Sequence, residues 1–193
     1  MTSRLREAQL AFMILTRLPV GRIEGDAPPL AASVWAFPIV GLAIGALMAL
    51  VFTAAIGLGL PVIASALLAL GVSALATGGL HEDGLADTAD GFGGGQTVTR
   101  KLEIMRDSRI GSYGVLALVI VISLTAQGIA SNGSVMAFLA IGAASRTAIL
   151  LPMIALPPAR ADGLGHGAVA TPGPAFWVGI AVAVGLAVGV GLA

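Results

Sequence analysis

The chain has 193 residues, of which 57% are hydrophobic and only 10% are charged, well below the roughly one quarter that is usual in soluble domains. Ten Lys and Arg balance ten Asp and Glu, which argues against nucleic-acid binding, because phosphate backbones are held mainly by clustered basic residues. Cysteine is absent, so disulfides and thiolate metal sites are excluded. A helical membrane protein, embedded in a lipid bilayer, is therefore the first hypothesis.

The amino-terminal segment is predicted to lie at the membrane interface. Residues 1–26 carry four arginines around an apolar run, residues 10–15, that is too short to span a bilayer and lacks a small-residue cleavage site. We therefore expect an interfacial helix and not a signal peptide. Pro19 and the pair Pro28-Pro29 should end it and begin a linker, because proline lacks an amide proton and disfavours helix in the residue before it.

The remaining sequence predicts an all-α, polytopic bundle of about five transmembrane helices in a single integral membrane domain, residues 1–193. Residues 27–80 form a stretch of 54 without Asp, Glu, Lys or Arg. At ~1.5 Å per residue, that stretch can cross a hydrocarbon core of about 30 Å twice. The expected spans are 33–56, 62–80, 110–130, 135–156 and 175–193, with turns at 57–61 and 131–134 and a polar loop at 157–174.

Basic residues predict the orientation of these spans. They precede the first span, lie between the second and third, and occur in the polar loop, whereas the turns at 57–61 and 131–134 have none. By the positive-inside rule the basic segments face the cytoplasm, so a bacterial cytoplasmic (inner) membrane is the expected location. Small residues such as Gly41 and Gly45 should allow close helix packing, although composition bias alone would also explain them.

Half of the charged residues lie in one window, residues 78–114, which holds six of the ten acidic and four of the ten basic residues. Asp83, Asp87 and Asp90 stand at i, i+4 and i+7, so on a helix they share one face. Carboxylates beside basic residues suggest a site for Mg²⁺ and phosphate, because Mg²⁺ prefers oxygen ligands. Glu82 would be a further ligand or a general base. A solvated acidic loop is the alternative.

Other residues of the window are candidates for substrate binding. Glycines within 91–95 would let backbone amides approach a phosphate, but a flexible hinge explains them equally well. The basic residues would clamp phosphate oxygens, with positive-inside anchoring as the alternative. His81 is either a neighbour of the metal or phosphate or an ordinary interfacial histidine. Arg146 lies inside a predicted span, where a charge is expected to be paired or functional. The candidates are His81, Asp90, Gly93, Gly94, Arg100, Lys101, Arg106, Asp107, Ser108, Arg109 and Arg146, with Ser112 and Tyr113 as further donors.

Two long blocks, residues 79–91 (GLHEDGLADTADG) and 104–114 (IMRDSRIGSYG), closely resemble the cobalamin synthase family, also called adenosylcobinamide-GDP ribazoletransferases. Residues 12–20 (FMILTRLPV) and 160–165 (RADGLG) are also similar to that family. The resemblance therefore covers most of the chain.

The resemblance implies a membrane enzyme of late cobalamin biosynthesis. Such an enzyme joins adenosylcobinamide-GDP to alpha-ribazole or its 5'-phosphate and releases GMP, with Mg²⁺. On this basis the cytoplasmic segment 81–109 is the active site, and in-line attack by a ribazole oxygen needs mainly positioning and charge stabilisation. The implied Mg²⁺ ligands are Glu82, Asp83, Asp87 and Asp90. The implied catalytic residues are Glu82, Asp83, Asp87, Arg106 and Arg109, and Arg146 is implied as a further cation for the leaving phosphate.

The sequence departs from the family pattern at one point, and two other functions compete with the transferase. Family members usually continue into a glycine-rich block containing Thr-Gly-Asp, whereas this sequence stops at Ala193, so a shortened form is expected. CDP-alcohol phosphotransferases also use membrane-embedded aspartates, but their motif has an Ala-Arg pair soon after the first Asp-Gly, and here Leu85-Ala86-Asp87 follows. An ion-coupled transporter would place acids within the spans, whereas the predicted spans contain none. The sequence leaves open whether a homo-oligomer forms.

Overall fold

The computed structural model describes residues 3–159 together with 177, 180, 181, 184 and 185. Within these residues all regular structure is helical, which confirms the predicted all-α class. The elements in chain order are α1 (Ser3–Leu15), α2 (Leu30–Ser33), a 3-10 turn (Val34–Ala36), α3 (Phe37–Gly57), α4 (Val62–Thr77), α5 (Leu80–Gly94), α6 (Val98–Ile104), α7 (Ser112–Asn132), α8 (Val135–Ala148) and α9 (Leu150–Ala155).

Three helical stretches are long and apolar enough to cross a membrane: Leu30–Gly57, Ser112–Asn132 and Val135–Ala155. They match the first, third and fourth predicted spans within a few residues. The second predicted span, 62–80, is interrupted. Helices α4 and α5 are long and apolar enough to cross a membrane only when taken together, and the pair is bent by 93°. The described residues thus contain three or four candidate spans, and the predicted number of about five is not confirmed. The predicted span 175–193 lies almost entirely outside the described residues.

The break between α4 and α5 has a local cause in two consecutive glycines. Gly78 and Gly79 have φ values of 73° and 71°, in the left-handed region that residues with a side chain rarely adopt. Gly78 ends α4 as its C-cap, and its amide donates 3.3 Å to the carbonyl of Leu75. A left-handed glycine after the last turn is a common helix stop. The sequence therefore turns the chain at the start of the charged window.

The chain divides into two compact units, of which the first comprises Met1–Leu50 and Ser134–Ala193. Its core joins α1, the 3-10 turn and the beginnings of α3 and α9 through Ala11, Leu15, Val34, Ala36, Phe37, Val40 and Leu150. The predicted interfacial helix α1 thus packs onto this core. Its Glu7 is nearly buried and accepts hydrogen bonds from Arg4 Nη1 at 2.9 Å and Trp35 Nε1 at 2.8 Å.

Backbone contact between α3 and α8 confirms the predicted close packing of small residues. A Cβ added to Gly41 would lie 2.1 Å from the carbonyl oxygen of Gly142, and one added to Gly45 would lie 2.3 Å from that of Phe138. Only glycine permits such an approach, and small residues spaced four apart are typical of packed membrane helices.

The second unit, Val51–Gly133, contains the charged window. In it α7 packs against α4 and α5, and α6 packs against α5. The opposite face of α7 is apolar and uncovered, with Val119, Ile120 and Leu124 each more than half exposed. A helix that is apolar around its circumference is suited to lipid. These observations and the three apolar spans describe an integral membrane protein.

Candidate functional site

Helix α5 carries the acidic side chains of the window. Asp83, Asp87 and Asp90 all lie on it, so the predicted helical spacing is confirmed and the solvated-loop alternative is wrong. Exposure falls along this face, because Asp83 is exposed, Asp87 is half-buried and Asp90 is only 8% exposed. Glu82 and Asp83 also occupy the first turn, where the positive end of the helix dipole favours negative charge. The helix thus presents accessible carboxylates at one end and a buried carboxylate near the other.

Glu82 has the most distinctive environment among the predicted metal ligands. Its Oε2 is buried and receives no hydrogen bond within the described part of the chain. A buried carboxylate oxygen without a partner is costly, and a hard cation such as Mg²⁺ would satisfy it. No group of three or more His, Asp or Glu side chains among the described residues is close enough together to hold a metal ion. Glu82 therefore suits a cation whose remaining ligands come from substrate phosphate or water.

Asp90 differs from the other acids because both of its oxygens are engaged by backbone. Oδ2 accepts from the amide of Gly111 at 2.7 Å, and Oδ1 accepts from the amide of Gly114 at 2.8 Å. These amides belong to the beginning of α7. A carboxylate held by two amides in a nearly buried position favours a structural role, and its predicted roles as metal ligand and substrate contact remain predictions.

A cavity of about 250 Å³ with a mixed polar and apolar lining lies where α5, α6 and the beginning of α7 meet. Its walls include two cationic side chains, Arg100 and Arg109, together with the side chains of Ser112 and Tyr113. The remaining wall residues are Asp90, Gly94, Glu103, Ile104, Asp107 and Gly111. The walls thus hold two cations, three carboxylates and two hydroxyl-bearing residues, and a phosphate bound here would compete with Glu103 and Asp107 for the two arginines.

Asp107 and Arg109 form a close ion pair at the cavity wall. The Arg109 Nη2 and Nε atoms donate to Oδ2 and Oδ1 of Asp107 at 2.6 and 3.0 Å, and the Arg109 amide donates to Oδ1 at 3.1 Å. Hydrogen bonds from the Arg109 side chain, followed by that from its amide, lower the pKa of Asp107 to about 2. The same pair raises the pKa of Arg109. The pair keeps both charges at every physiological pH.

The other basic residues of the window have neighbours on their own surface. Arg100 Nη1 donates to Glu103 Oε2 at 3.0 Å, and both side chains are exposed. Lys101 Nζ lies 4.3 Å from the ring centroid of Phe92, a cation–π distance. Exposed pairs of this kind contribute little to stability, so the Arg100 side chain can be redirected to a ligand at small cost.

The glycine-rich stretch is packed rather than open. Gly91, Gly93 and Gly94 form the last turn of α5. A Cβ on Gly93 would lie 2.4 Å from Cγ of the Tyr113 ring, and one on Gly91 would lie 2.6 Å from the Met105 Cε. These glycines therefore let α5 contact the window's other elements closely, an explanation that neither the phosphate-loop nor the hinge interpretation included. Gly94 is the glycine of this group that reaches the cavity.

Several predicted residues lie elsewhere. His81, Glu82, Asp83 and Asp87 belong to the first half of α5, and Arg106 and Ser108 are exposed on the segment between α6 and α7; none of these lines the cavity. Arg146 belongs to α8 in the first unit, where its Nη1 donates to Ser145 Oγ at 2.9 Å. Its partnership with the charged window stays a prediction.

Sequence reasoning missed Glu103, Ile104 and Gly111 as cavity residues. Glu103 stands three residues after Arg100 in a short helix, so the i,i+3 pairing was a usable signal. Gly111 offered no comparable signal, because its importance arises from contact with Asp90, which lies 21 residues away. Long-range contacts of this kind are not encoded in local spacing.

These features define a class: an integral membrane protein of helical bundle type in which one unit holds an acidic helix and a cavity lined by both acidic and basic residues. Comparison of its sequence with known proteins identifies the family. The chain belongs to the cobalamin-5-phosphate synthase family, whose sequence pattern matches residues 7–193. The predicted family is confirmed.

Similar proteins carry one name, adenosylcobinamide-GDP ribazoletransferase. The chain is 46% identical to the protein of that name from Bradyrhizobium diazoefficiens over 183 residues, which is 92% of this chain and 70% of the relative. For the relatives from Mesorhizobium japonicum and Azorhizobium caulinodans, the identities are 44% and 46%, covering 86% and 83% of this chain but 66% and 64% of theirs. The chain thus spans about two thirds of the length of these relatives. No solved structure matches it.

Proposed function

We propose that the protein is a Mg²⁺-dependent transferase of late cobalamin biosynthesis that joins adenosylcobinamide-GDP to alpha-ribazole, or to its 5'-phosphate, and releases GMP. The names of its relatives and its membership of the cobalamin-5-phosphate synthase family support this reaction. The observation that carries it to this chain is the combination, in one compact unit, of an acidic helix with a cation-lined cavity. Transfer from a diphosphate requires both kinds of group.

The first half of α5 would hold the cation. Glu82 supplies a buried oxygen without a hydrogen-bond partner among the described residues, and Asp83 is an exposed carboxylate in the same turn. Asp87 lies one turn further along the same face. Because these three described acids are not grouped closely enough to hold the ion by themselves, substrate phosphate oxygens or water would complete its coordination. When bound, Mg²⁺ would neutralise charge on the diphosphate of the corrinoid substrate.

The cavity would hold an anionic part of a substrate. Arg100 and Arg109 supply positive charge, while Ser112 and Tyr113 supply hydroxyl donors. Arg106, on the same segment, would add charge toward the leaving phosphate. During transfer one P–O bond forms to the ribazole oxygen, the P–O bond to GMP breaks, and the hydroxyl proton passes to water or to a carboxylate of the window that does not hold the cation. Positioned cations stabilise the charge that develops on the departing phosphate.

Location and assembly complete the proposal. The protein would reside in the bacterial cytoplasmic membrane with its charged window facing the cytoplasm, because basic residues lie on that side in the predicted topology. It would bind both substrates there, and self-association into a homo-oligomer is compatible with the glycine-rich spans.

The test is release of GMP by the purified protein in lipid, with adenosylcobinamide-GDP and alpha-ribazole, with and without Mg²⁺. We expect release that requires Mg²⁺ and falls at least a hundredfold in Asp83→Asn, in line with loss of a metal ligand. Thr88→Val is the matched control, since Thr88 is an exposed residue of α5 whose hydroxyl only donates to the carbonyl of Gly84. The Bradyrhizobium relative is run in parallel. Activity in the relative but not in this chain would overturn the proposal for these 193 residues.

A further inference from the structure

The beginning of α7 is capped by a side chain from another helix. Its N-cap residue is Gly111, which has no side chain to receive the free amides of the first turn. Asp90 takes that role from α5, accepting from Gly111 at 2.7 Å and from Gly114 at 2.8 Å. A carboxylate in this position also faces the positive end of the α7 dipole.

Gly111, the N-cap of α7, and Gly114 in its first turn provide the space for this arrangement. A Cβ on Gly111 would lie 2.4 Å from Asp90 Oδ1, and one on Gly114 would lie 2.5 Å from Asp90 Oδ2. Both distances are far below van der Waals contact, so a side chain at either position would displace the carboxylate. The sequence G-S-Y-G at residues 111–114 therefore fits the Asp90 carboxylate sterically as well as electrostatically.

The contact of Asp90 with Gly111 and Gly114 matters because it fixes the end of a segment that contains cavity residues. Residues 105–111 connect α6 to α7 and include Asp107 and Arg109, whose ion pair lines the cavity. Ser112 and Tyr113, the hydroxyl residues of the cavity, follow directly. Asp90 joins the α7 end of this segment to α5 at one buried point.

We infer that Asp90 is the positioning residue of the site: it fixes the segment 105–114 on α5 so that Arg109, Ser112 and Tyr113 face the cavity, and it does not ligate the metal. The inference rests on the proposed function only in taking the cavity as a substrate site. Asp83, on the accessible part of the same helix face, makes the informative comparison.

The test is hydrogen–deuterium exchange of the full chain in lipid nanodiscs, together with Mn²⁺ affinity from electron paramagnetic resonance. In Asp90→Asn we expect amide exchange in residues 105–116 to accelerate about tenfold or more, because one buried amide loses its acceptor. Exchange in α4 and in the second half of α7 should stay as in the wild type. Mn²⁺ affinity should stay within about twofold in Asp90→Asn and fall more than tenfold in Asp83→Asn, as loss of a ligand predicts.

A second variant keeps the inference testable if Asp90→Asn does not fold. Gly111→Ala retains the carboxylate but places a methyl group against it, and we expect the same local acceleration with Mn²⁺ affinity retained. Unchanged exchange in residues 105–116, or acceleration throughout the unit, would overturn the inference. So would a loss of Mn²⁺ affinity in Asp90→Asn equal to that in Asp83→Asn. Absence of Mn²⁺ binding in the wild type would count against the proposed function, while the exchange comparison would still decide the role of Asp90.

Discussion

Asp107 and Arg109 are separated by one residue, yet they form four hydrogen bonds to each other through side chain and backbone. Both are at the surface, so the pair is screened by solvent and is not a major source of stability. Its value is geometric, because it holds the guanidinium group at the cavity wall. At the residue scale, a charge pair therefore fixes the relative positions of two side chains in this segment.

Carboxyl titration provides the first prediction. The pKa of Asp107 is lowered to about 2, whereas an unperturbed aspartate titrates at about 3.9. A depressed pKa means that the pair stabilises the fold fully above about pH 4 and loses that contribution as pH falls through about 2. Arg109→Gln should return the pKa of Asp107 toward its ordinary value in a ¹³C NMR titration. Arg106→Gln is the control, and an equal response in both variants would contradict the assignment.

Gly93 provides the second prediction at this scale. A methyl group there would lie 2.4 Å from the Tyr113 ring, so Gly93→Ala should lower the unfolding free energy by about 1–3 kcal/mol. Gly94→Ala is the matched control, because its Cβ would meet only the flexible end of Ile104 at 3.3 Å. Thermal unfolding in detergent compares the two. Removing the ring in Gly93→Ala/Tyr113→Ala should recover part of the loss, and strict additivity would argue against the contact.

At the scale of elements, the bend between α4 and α5 determines where the acids lie. Helix α4 has 16 residues, or about 24 Å, which is shorter than a hydrocarbon core of ~30 Å. The 93° turn starts α5 in a new direction with its acidic first turn just beyond the bend. If this bent pair is one broken span, the acids of α5 lie within a span, and their position no longer argues against a transporter. The transferase assignment then depends on the family and on the cavity.

The bend can be tested with a pair of glycine substitutions. At Gly79 a Cβ meets nothing within 4 Å, so Gly79→Ala acts through its left-handed backbone alone. We expect a loss of about 1–2 kcal/mol in unfolding free energy. Gly71→Ala is the control, since Gly71 lies inside α4 with open space around its Cα. That substitution should be neutral or stabilising by up to about 1 kcal/mol. Equal effects would show that φ at Gly79 is not positive in solution.

Local signals in the sequence predicted most of these helices correctly. The apolar runs gave α3, α7 and α8, and the i, i+4, i+7 spacing gave the acidic helix, because both patterns depend on neighbours in the chain. The predicted second span ended at residue 80, next to the break, but the bend itself was missed because hydropathy carries no information on the left-handed φ of Gly78 and Gly79. The role of Asp90 was missed because its partners, Gly111 and Gly114, lie more than twenty residues away. In the candidate site, charge identified the residues but long-range packing decided which of them line the cavity.

At the scale of the whole molecule, the distribution of apolar surface explains why the protein belongs in lipid. The most apolar stretch of α7 is 17% buried within the protein, whereas that of Leu30–Gly57 is 39% buried. The exposed remainder consists largely of aliphatic side chains, which a bilayer accommodates and water does not. Charges are concentrated instead in segments that the positive-inside rule assigns to one side.

The absence of native cysteine makes this orientation directly measurable. Thr99→Cys places a thiol on exposed α6, and Asn132→Cys places one at the far end of α7, both at exposed positions. We expect an impermeant maleimide to label Asn132→Cys from outside intact spheroplasts and Thr99→Cys only in inverted vesicles. The cysteine-free wild type gives the background. Labelling of Thr99→Cys from outside would reverse the proposed orientation and move the site out of the cytoplasm.

The central claim is that one protein breaks the corrinoid diphosphate and makes the new bond to ribazole. The most direct measurement is quantification, in one reaction, of GMP by chromatography and of the joined corrinoid by mass spectrometry, using wild-type protein in lipid. We predict that the two appear in a one-to-one ratio, require Mg²⁺, and are both absent when alpha-ribazole is omitted. GMP release without the joined corrinoid would identify a hydrolase and contradict the account. So would absence of both products under conditions in which the Bradyrhizobium relative forms them.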